Sequence, residues 1–384
     1  MRSLYFTLSA IIMIIVGCRP GKDNSFKPGA QWPVNNEVHI NAHGGGIIYH
    51  DGKYYWFGQH MVEGEKGNSA WVGVHCYSSG DLYHWNDEGI ALRVEEELAS
   101  EITAGCLLER PKVIFNRNTE KFVMWFHLER KDLGYKDARS GVAVSDRITG
   151  PYAYVRSERP EKGNWPVNVG EFHKANEFAG QEIQFTGGDD LPVYCDSLNI
   201  LGRDYNDGQM ARDMNLFVDD DGKAYHVYAS EENSTLHISL LSEDYLSHSG
   251  KYTRAFICRY MEAPVIFKRD GKYYFIGSGC TGWHPNAARY AVADSIFGPW
   301  TEMGNPCTGP DSALTFHSQS TCVLKVAGKE DAFIFMADRW RPENAIDGRY
   351  IWLPVIFDGD RINLKWFDEW DLGLFDRLKV NKSN

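Results

Sequence analysis

One pattern recurs five times along the chain and limits the folds that the chain can adopt. A short apolar run leads into a tight turn and then into alternating aromatic and aliphatic residues, as in residues 46–57 and 264–275. Four of the five turns contain glycine, and Asp-Gly between alternating apolar runs is a strong signal for a β-hairpin. Further strand-like runs follow the hairpins, and helical periodicity is nearly absent. Units of about four strands, repeated about five times, predict an all-β, five-bladed β-propeller.

The five repeats share a polar residue at one fixed position. Nine residues before each hairpin turn stand His43, Glu109, Asp213, Glu262 and Gln319. In a propeller this position lies where the innermost strand of each blade enters from one end of the axis. One such residue alone would be explained by a water-exposed strand cap, but equal spacing of five favours convergence on a single pocket.

Three of the five residues are carboxylates, and this composition indicates glycoside hydrolysis. That reaction needs a proton donor for the leaving oxygen and a group that activates water or attacks the sugar. A neighbouring carboxylate raises the pKa of the donor through charge repulsion. Glu109, Asp213 and Glu262 provide the required groups.

The first 18 residues predict a signal peptide. Arg2 is followed by an apolar run over residues 4–16, which is too short to span a bilayer. The run ends in Ile-Val-Gly-Cys, which resembles the lipobox of bacterial lipoproteins. We expect a lipid on Cys18 that anchors the chain in the cell envelope, on the periplasmic side, as its only membrane contact. An ordinary signal peptide with a chance cysteine is the alternative. Residues 19–36 predict a flexible tether, and residues 37–384 predict a single catalytic domain.

Composition excludes some partners. The net charge of -12, from 40 basic and 52 acidic residues, disfavours nucleic acid, which requires a basic surface. Seven cysteines remain besides Cys18, and this odd number allows one or two disulfides but no complete set. None of them has CxxC spacing, so we expect no zinc site. We expect a monomer that requires no cofactor; a metal is not assigned, and a structural calcium ion is not indicated. His317 fits a hydrogen-bonded core histidine better than a metal ligand.

Two segments resemble motifs of glycoside hydrolase family 43. They are Arg-Asp-Met-Asn-Leu-Phe at 212–217 and Met-Glu-Ala-Pro at 261–264. The resemblance implies a five-bladed propeller with the active site on its axis. It also implies that Glu262 is the general acid and that Asp213 tunes and orients this acid.

A narrower resemblance covers about residues 37–371. It is carried by Ala-His-Gly-Gly-Gly at 42–46, Glu-Arg-Pro-Lys-Val-Ile at 109–114, Ser-Gly-Cys-Thr-Gly-Trp at 278–283, Ser-Gln-Ser-Thr at 318–321, Asp-Arg-Trp at 338–340 and Arg-Tyr-Ile-Trp-Leu-Pro at 349–354. These segments are similar to the exo-β-1,3-galactanase branch of the family. Members of that branch remove galactose from the ends of the β-1,3-galactan backbone of arabinogalactans, with inversion.

The branch lacks the blade-one aspartate that serves as general base in most of the family, and this chain has His43 there. Gln319 matches the glutamine proposed to replace the base, either as an imidic-acid tautomer or by positioning water. Glu109 matches a further active-site glutamate, for which we expect contact with substrate hydroxyls or electrostatic support. We assign the remaining substrate contacts to His43, Gln59, Thr281, Trp283 and Arg339.

The chain also departs from the branch. Gln59 stands where glutamate is common, which keeps a hydrogen bond but removes a charge. An insertion at about 161–209 separates the motifs of blades two and three, and we expect it to form an excursion near the pocket rim. The register of Glu231 and Glu232 places them as support or rim.

Two other functions remain open at this point. The first is another family 43 specificity, an α-L-arabinofuranosidase or a β-xylosidase. The second is a non-catalytic lipoprotein that binds glycans and lost catalysis along with the aspartate base.

Overall fold

Each sequence repeat folds into one antiparallel sheet, and five sheets form the predicted five-bladed propeller. The computed structural model describes residues 24–382 except 36, 98 and 179–192. The predicted signal peptide and Cys18 lie outside the described residues.

Four consecutive strands build each blade, with the first strand nearest the axis. Blade one contains β1 (His43–His50), β2 (Lys53–His60), β3 (Gly73–Ser79) and β4 (Asn86–Arg93). Blade two contains β5 (Leu107–Asn116), β6 (Lys121–Glu129), β7 (Arg139–Ser145) and β8 (Ala153–Glu158). Blade three contains β9 (Met214–Val218), β10 (Ala224–Ser230), β11 (Thr235–Leu241) and β12 (His248–Ala255). Blade four contains β13 (Glu262–Arg269), β14 (Lys272–Ser278), β15 (Arg289–Ala293) and β16 (Thr301–Gly304).

Blade five has a fifth, short strand at its outer edge. It contains β17 (Cys307–Thr308), β18 (Gln319–Lys325), β19 (Phe333–Arg339), β20 (Arg349–Asp358) and β21 (Arg361–Lys365), and β17 pairs in parallel with β21. The innermost strands β1, β5, β9, β13 and β18 contact one another in sequence, and β18 contacts β1, which closes the ring.

Helices are few and short. They are α1 (Glu171–Ala175), α2 (Ile200–Arg203), α3 (Gly373–Lys382) and 3₁₀ turns at Glu65–Asn68, Gly134–Lys136, Val193–Leu198, Ser312–His317 and Ala345–Asp347. Among the residues that the structure describes, no helix is long and apolar enough to cross a membrane.

The hairpin turns explain the regular spacing of the repeats. The turn glycines of blades one, three, four and five have φ between 74° and 80°, where a side chain would be strained. In blade two, whose turn lacks glycine, Glu120 adopts the positive φ of 55°. The number of residues between the axis position and the hairpin turn is therefore the same in all five inner strands.

Five hydrophobic clusters fill the spaces between neighbouring blades. The cluster between blades five and one is the most aromatic and includes the fully buried Trp56, Trp85 and Trp352. Burying a large apolar side chain contributes about 1.5–3 kcal/mol relative to leaving it exposed. These interfaces fix the blades and hold the axis residues in place.

The described part of the predicted tether is packed, which corrects that prediction. Phe26 is 2% exposed and exchanges two backbone hydrogen bonds with Trp370, at 2.7 and 3.1 Å. Trp32 packs edge-on against Trp352, with ring centroids 4.7 Å apart. Residues 24–35 thus cover the junction of blades one and five, because their aromatic side chains complete its core.

The insertion is fastened to the outside of blade three. A disulfide joins Cys195 to Cys258, and Asp196 accepts a 2.6 Å hydrogen bond from Arg254 of β12. Arg203 reaches Glu232 at 3.0 Å, so the insertion contacts the axis end of blade three. Five free cysteines complete the described set, and four of them are buried.

Candidate active site

A cavity of about 410 Å³ opens at the end of the axis where the inner strands begin. Four of the five equally spaced residues line it: Glu109, Asp213, Glu262 and Gln319. The sequence spacing therefore locates one wall residue in each of blades two to five.

A β-bulge follows the axis position in blades one, two and four. The register shifts after His43, Glu109 and Glu262, and the next residue has a positive φ in each case, at Gly44, Arg110 and Ala263. Bulges bend a strand and redirect its side chains. They turn the carboxylates of blades two and four into the cavity.

The carboxyl group of Glu262 is held at one of its two oxygens. The Cys280 thiol donates to Oε1 at 2.7 Å, and Nδ2 of Asn233 donates to the same oxygen at 3.1 Å. Burial and the charge of Glu262 raise the pKa of this thiol, so it remains a protonated donor. An amide nitrogen can only donate. When Glu262 is protonated, its proton therefore lies on Oε2, which no other described residue engages.

The surroundings of Glu262 favour its protonated form. Burial, followed by repulsion from Asp213, raises its pKa to about 8. A general acid must carry its proton near the working pH, and a buried carboxyl beside a second carboxylate meets this condition.

Arg110 connects three blades beneath the cavity. Its Nε lies 2.6 Å from Oδ1 of Asp213, and its Nη2 donates to Oε1 of Gln319 at 2.6 Å. The other oxygen of Asp213 accepts the backbone N–H of Ala263 at 3.0 Å. Asp213 is thereby held next to the strand that carries Glu262.

Glu109 accepts hydrogen bonds on both carboxylate oxygens. Tyr135 donates to Oε1 at 2.8 Å, and His127 lies 3.0 Å from Oε2. Burial opposes the charge of His127, but its hydrogen bonds to Glu109 and Glu129 raise its pKa to about 9. The imidazolium keeps a positive charge beside Glu109 at neutral pH.

The amide of Gln319 is fixed by three hydrogen bonds. Oε1 accepts from Arg110 at 2.6 Å and from the indole of Trp340 at 3.0 Å, and Nε2 donates to Ser278 at 3.0 Å. Arg110 and Trp340 can only donate. An imidic-acid tautomer would place a proton on this oxygen without an acceptor, so these neighbours favour the ordinary amide.

His43 does not line the cavity, which corrects its assignment to substrate. It has 0% exposure and lies against Gly348, where an added Cβ would come within 2.5 Å of its ring. Burial and nearby His39 lower its pKa to about 3, so the ring is neutral. The bulge at Gly44 turns His43 towards blade five, and Gly44 itself forms the cavity wall.

The other predicted contacts fall in different places. Gln59 and Trp283 line the cavity, and Trp283 is 44% exposed. Thr281 does not line this cavity or the one beside it. Its hydroxyl donates to the carbonyl oxygen of His284 at 2.5 Å and accepts from the amide of Asn286 at 2.7 Å, within its own loop. Arg339 lines a second, adjoining cavity.

Sequence reasoning missed several wall residues. They include Arg110, Tyr135, Arg212, Asn233 and Cys280. Arg110 and Cys280 stand inside the motif segments quoted above and carried a usable signal, whereas Asn233 comes from a loop whose direction the sequence does not show. Glu231 supports the site from below, buried against Arg254 and His237, and Glu232 lies on the wall.

Comparison with known proteins decides the family. The sequence profile of glycosyl hydrolases family 43 matches residues 194–351, and that of the glycosyl hydrolases family 32 N-terminal domain matches residues 38–142. A solved GH43 β-1,3-galactosidase, in complex with galactodeoxynojirimycin, is 49% identical over 90% of this chain and 100% of its own, with a TM-score of 0.86. The chain belongs to glycoside hydrolase family 43.

More distant relatives agree with this family 43 membership and with the branch that the motifs indicate. The exo-β-1,3-galactanase from Clostridium thermocellum is 32% identical over 90% of this chain and 66% of its own, with a TM-score of 0.73. A variant of the Phanerochaete chrysosporium exo-β-1,3-galactanase, solved with β-1,3-galactotriose, is 29% identical over 91% and 68%, with a TM-score of 0.73.

One curated relative has a different specificity. The β-D-galactofuranosidase from Aspergillus niger is 28% identical over 144 residues, which is 37% of this family 43 chain and 41% of that protein. The match thus spans less than half of that relative.

Proposed function

We propose that this family 43 chain is an exo-acting, inverting glycoside hydrolase that releases galactose from the β-1,3-galactan of arabinogalactan. The observation that carries the proposal is Glu262, a half-buried acid with a pKa of about 8 on the wall of an axial cavity, next to Asp213. The galactosidases and galactanases among the similar structures support galactose as the sugar that this cavity holds.

In the proposed reaction, Glu262 donates the proton on Oε2 to the glycosidic oxygen as the bond breaks. Cys280 and Asn233 hold the opposite oxygen, which directs the proton towards the cavity. Asp213 keeps the pKa of this acid high, and Arg110 keeps Asp213 in place. Glu109 faces the substrate hydroxyls as an acceptor.

Gln319 is assigned to positioning the attacking water. Its oxygen is occupied by two donors, whereas its nitrogen uses one of two hydrogens on Ser278. The second N–H is available for a water or a sugar hydroxyl. As the water attacks, it releases a proton to solvent in the cavity, and Glu262, left as a carboxylate, regains a proton from solvent once the leaving sugar has departed. These contacts support orientation of the water and give no support to Gln319 as a proton acceptor.

Product analysis tests the proposal. Wild-type protein is incubated with β-1,3-galactobiose and with aryl α-L-arabinofuranoside, β-xyloside and β-galactofuranoside. We expect galactose from the galactobiose alone, with the inverted anomer appearing first by NMR. Glu262→Gln removes the proton donor and abolishes release, whereas Glu330→Gln, an exposed surface control, retains it. Release of arabinose, xylose or galactofuranose would contradict the specificity, and full activity of Glu262→Gln would contradict the mechanism.

We also propose a lipid anchor at Cys18 on the periplasmic side of the envelope, and a monomeric state. The apolar run over residues 4–16 and the Ile-Val-Gly-Cys that follows support the anchor. Cys18→Ala should move the protein from the membrane fraction to the soluble fraction and abolish palmitate labelling. Light scattering of the detergent-free domain should give the mass of a monomer. Retention of Cys18→Ala in the membrane fraction would contradict the anchor.

A further inference from the structure

A second cavity of about 350 Å³ adjoins the axial cavity. The two share Gln319 and two tryptophans, Trp283 and Trp340, whose rings meet edge to face at 6.0 Å. A ligand that extends out of the axial cavity past the two indoles therefore enters the second cavity. This cavity has no role in the mechanism described above.

The two cavities differ in their charged groups. The axial cavity is lined by four acidic residues, Glu109, Asp213, Glu232 and Glu262, together with Arg110 and Arg212. The second cavity is lined by Arg339, Arg341, His284 and His317, together with neutral residues, and by no aspartate or glutamate. In a chain with a net charge of -12, a cavity with two arginines and no carboxylate is selective for anions.

Arg339, which is half-buried, has an incompletely paired guanidinium on this wall. Within the described part of the chain, no carboxylate lies within 4.0 Å of its guanidinium, which donates to the backbone oxygen of Phe316 at 2.8 Å. Its Nε is buried without a hydrogen-bond partner. Burial, together with Arg341, lowers its pKa. Leaving a buried charged donor unpaired costs stability.

Two fully buried arginines of this chain are each paired with a carboxylate. Arg110 pairs with Asp213 at 2.6 Å, and Arg254 pairs with Glu231 at 2.6 Å. Arg341, on the same wall as Arg339, reaches only Glu343, at 3.8 Å on the exposed side. Arg339 and Arg341 thus present positive charge to the cavity, and the nearby Asp311, 3.3 Å from His317, offsets this charge only in part.

We propose that the second cavity binds an anionic group on the substrate, a carboxylate or a sulfate ester on a sugar unit beyond the terminal galactose. The inference rests on the proposed function, because the axial cavity must hold the galactose that is released. The planar guanidinium of arginine forms paired hydrogen bonds with such groups. The substrate class is therefore an acidic galactan, recognised by Arg339 and Arg341.

The test compares matched substrates. Galactose release is measured from a β-1,3-galactan oligosaccharide that carries a uronate, from the same oligosaccharide after reduction of its carboxyl to a neutral hexose, and from a sulfated counterpart. We expect kcat/KM of the wild type to be about tenfold higher on the uronate than on its reduced form, a difference of about 1.4 kcal/mol. Added salt should reduce this ratio, because the groups are partly exposed.

Arginine variants assign the preference to the cavity. Arg339→Gln and Arg341→Gln should each bring the ratio towards one, whereas the exposed control Arg377→Gln should keep it. The ratio compares two substrates on one preparation, so partial misfolding of a variant does not affect it. A preference for the sulfated substrate alone would assign the site to sulfate esters.

Two results separate the possible failures. Equal kcat/KM on the charged and reduced substrates, or a ratio that survives in both arginine variants, would overturn the anion site while leaving the galactosidase proposal intact. No galactose from any of the three substrates would overturn the proposed function and this inference with it.

Discussion

The contact between Cys280 and Glu262 makes a prediction about the pH dependence of the reaction. The acid is active when protonated, so the rate is present below its pKa and is lost as pH rises through about 8. Cys280 donates to Oε1 at 2.7 Å and stabilises the charged form more than the neutral form. Cys280→Ala removes this donor and raises the pKa of Glu262. The basic limb of the pH–rate profile, where the rate falls, therefore moves to higher pH.

The size of the shift follows from the strength of the bond. Hydrogen bonds to charged groups contribute about 1.5–3 kcal/mol, and a thiol is a weak donor. Asn233 remains on the same oxygen in the variant. A loss of about 1 kcal/mol for the charged form relative to the neutral form corresponds to a rise of roughly 0.7 pKa units. The plateau rate should fall as well, because Oε1 is held less firmly.

The assay is kcat/KM for galactose release from β-1,3-galactobiose between pH 5 and pH 10. Cys280→Ser keeps a donor and should leave the basic limb at or below its original position. Cys106→Ala removes a buried thiol at the interface of blades one and two and should not move the limb. A limb that stays in place in Cys280→Ala, or moves down, would refute the reasoning.

Three further predictions concern the wall and the insertion. Gln319→Ala should lower kcat by about 100-fold or more, as loss of one preorganised polar group does elsewhere. Trp340→Phe keeps an aromatic ring but removes the indole donor to Gln319, and it should lower kcat less. Equal losses in steady-state kinetics would contradict a positioning role for the indole bond. Trp283→Ala should raise KM about tenfold with little change in kcat, as measured on β-1,3-galactotriose, because an exposed ring on the wall contributes to binding; a lower kcat at constant KM would place this ring at the transition state instead. Replacing Cys195 and Cys258 by alanine should lower the free energy of unfolding by about 4 kcal/mol in urea titrations, given the 63-residue separation; an unchanged midpoint would show that the closed loop does not constrain the unfolded chain.

The sequence was sufficient to predict the propeller and the place of its axis residues. Equal spacing from the turns carries this information, because nine residues separate the axis position of every inner strand from its hairpin turn. Glu109, Asp213, Glu262 and Gln319 line the cavity for this reason.

Spacing does not determine the direction of a side chain. His43 occupies the equivalent position in blade one, yet the bulge at Gly44 turns its ring into the interior. Its neighbours there, Asp338 and Gly348, are about 300 residues away in the chain and cannot be inferred from local pattern. The sequence therefore predicted the place of His43 in its strand but not the residues that surround its ring.

The groups that tune the site escaped sequence reasoning for a related physical reason. Cys280 and Asn233 meet on Glu262 from two different blades, and Arg110 joins Asp213 to Gln319 across three. Such contacts depend on the closure of the ring. Asn233 is also placed by three consecutive residues with positive φ, a backbone course that composition does not reveal.

The packing of residues 24–35 over blades one and five has a consequence for the order in which the protein is built. Phe26 and Trp32 leave the ribosome early, but Trp352 and Trp370, against which they pack, are synthesised more than 300 residues later. Until then these side chains contact only blade one, where Phe26 packs on Tyr83 and Trp32 packs on Trp56, and their faces towards blade five lack a partner. We expect the docking of the last blade onto this early segment to be a late step of folding, and a nascent chain halted after blade four to expose apolar surface there.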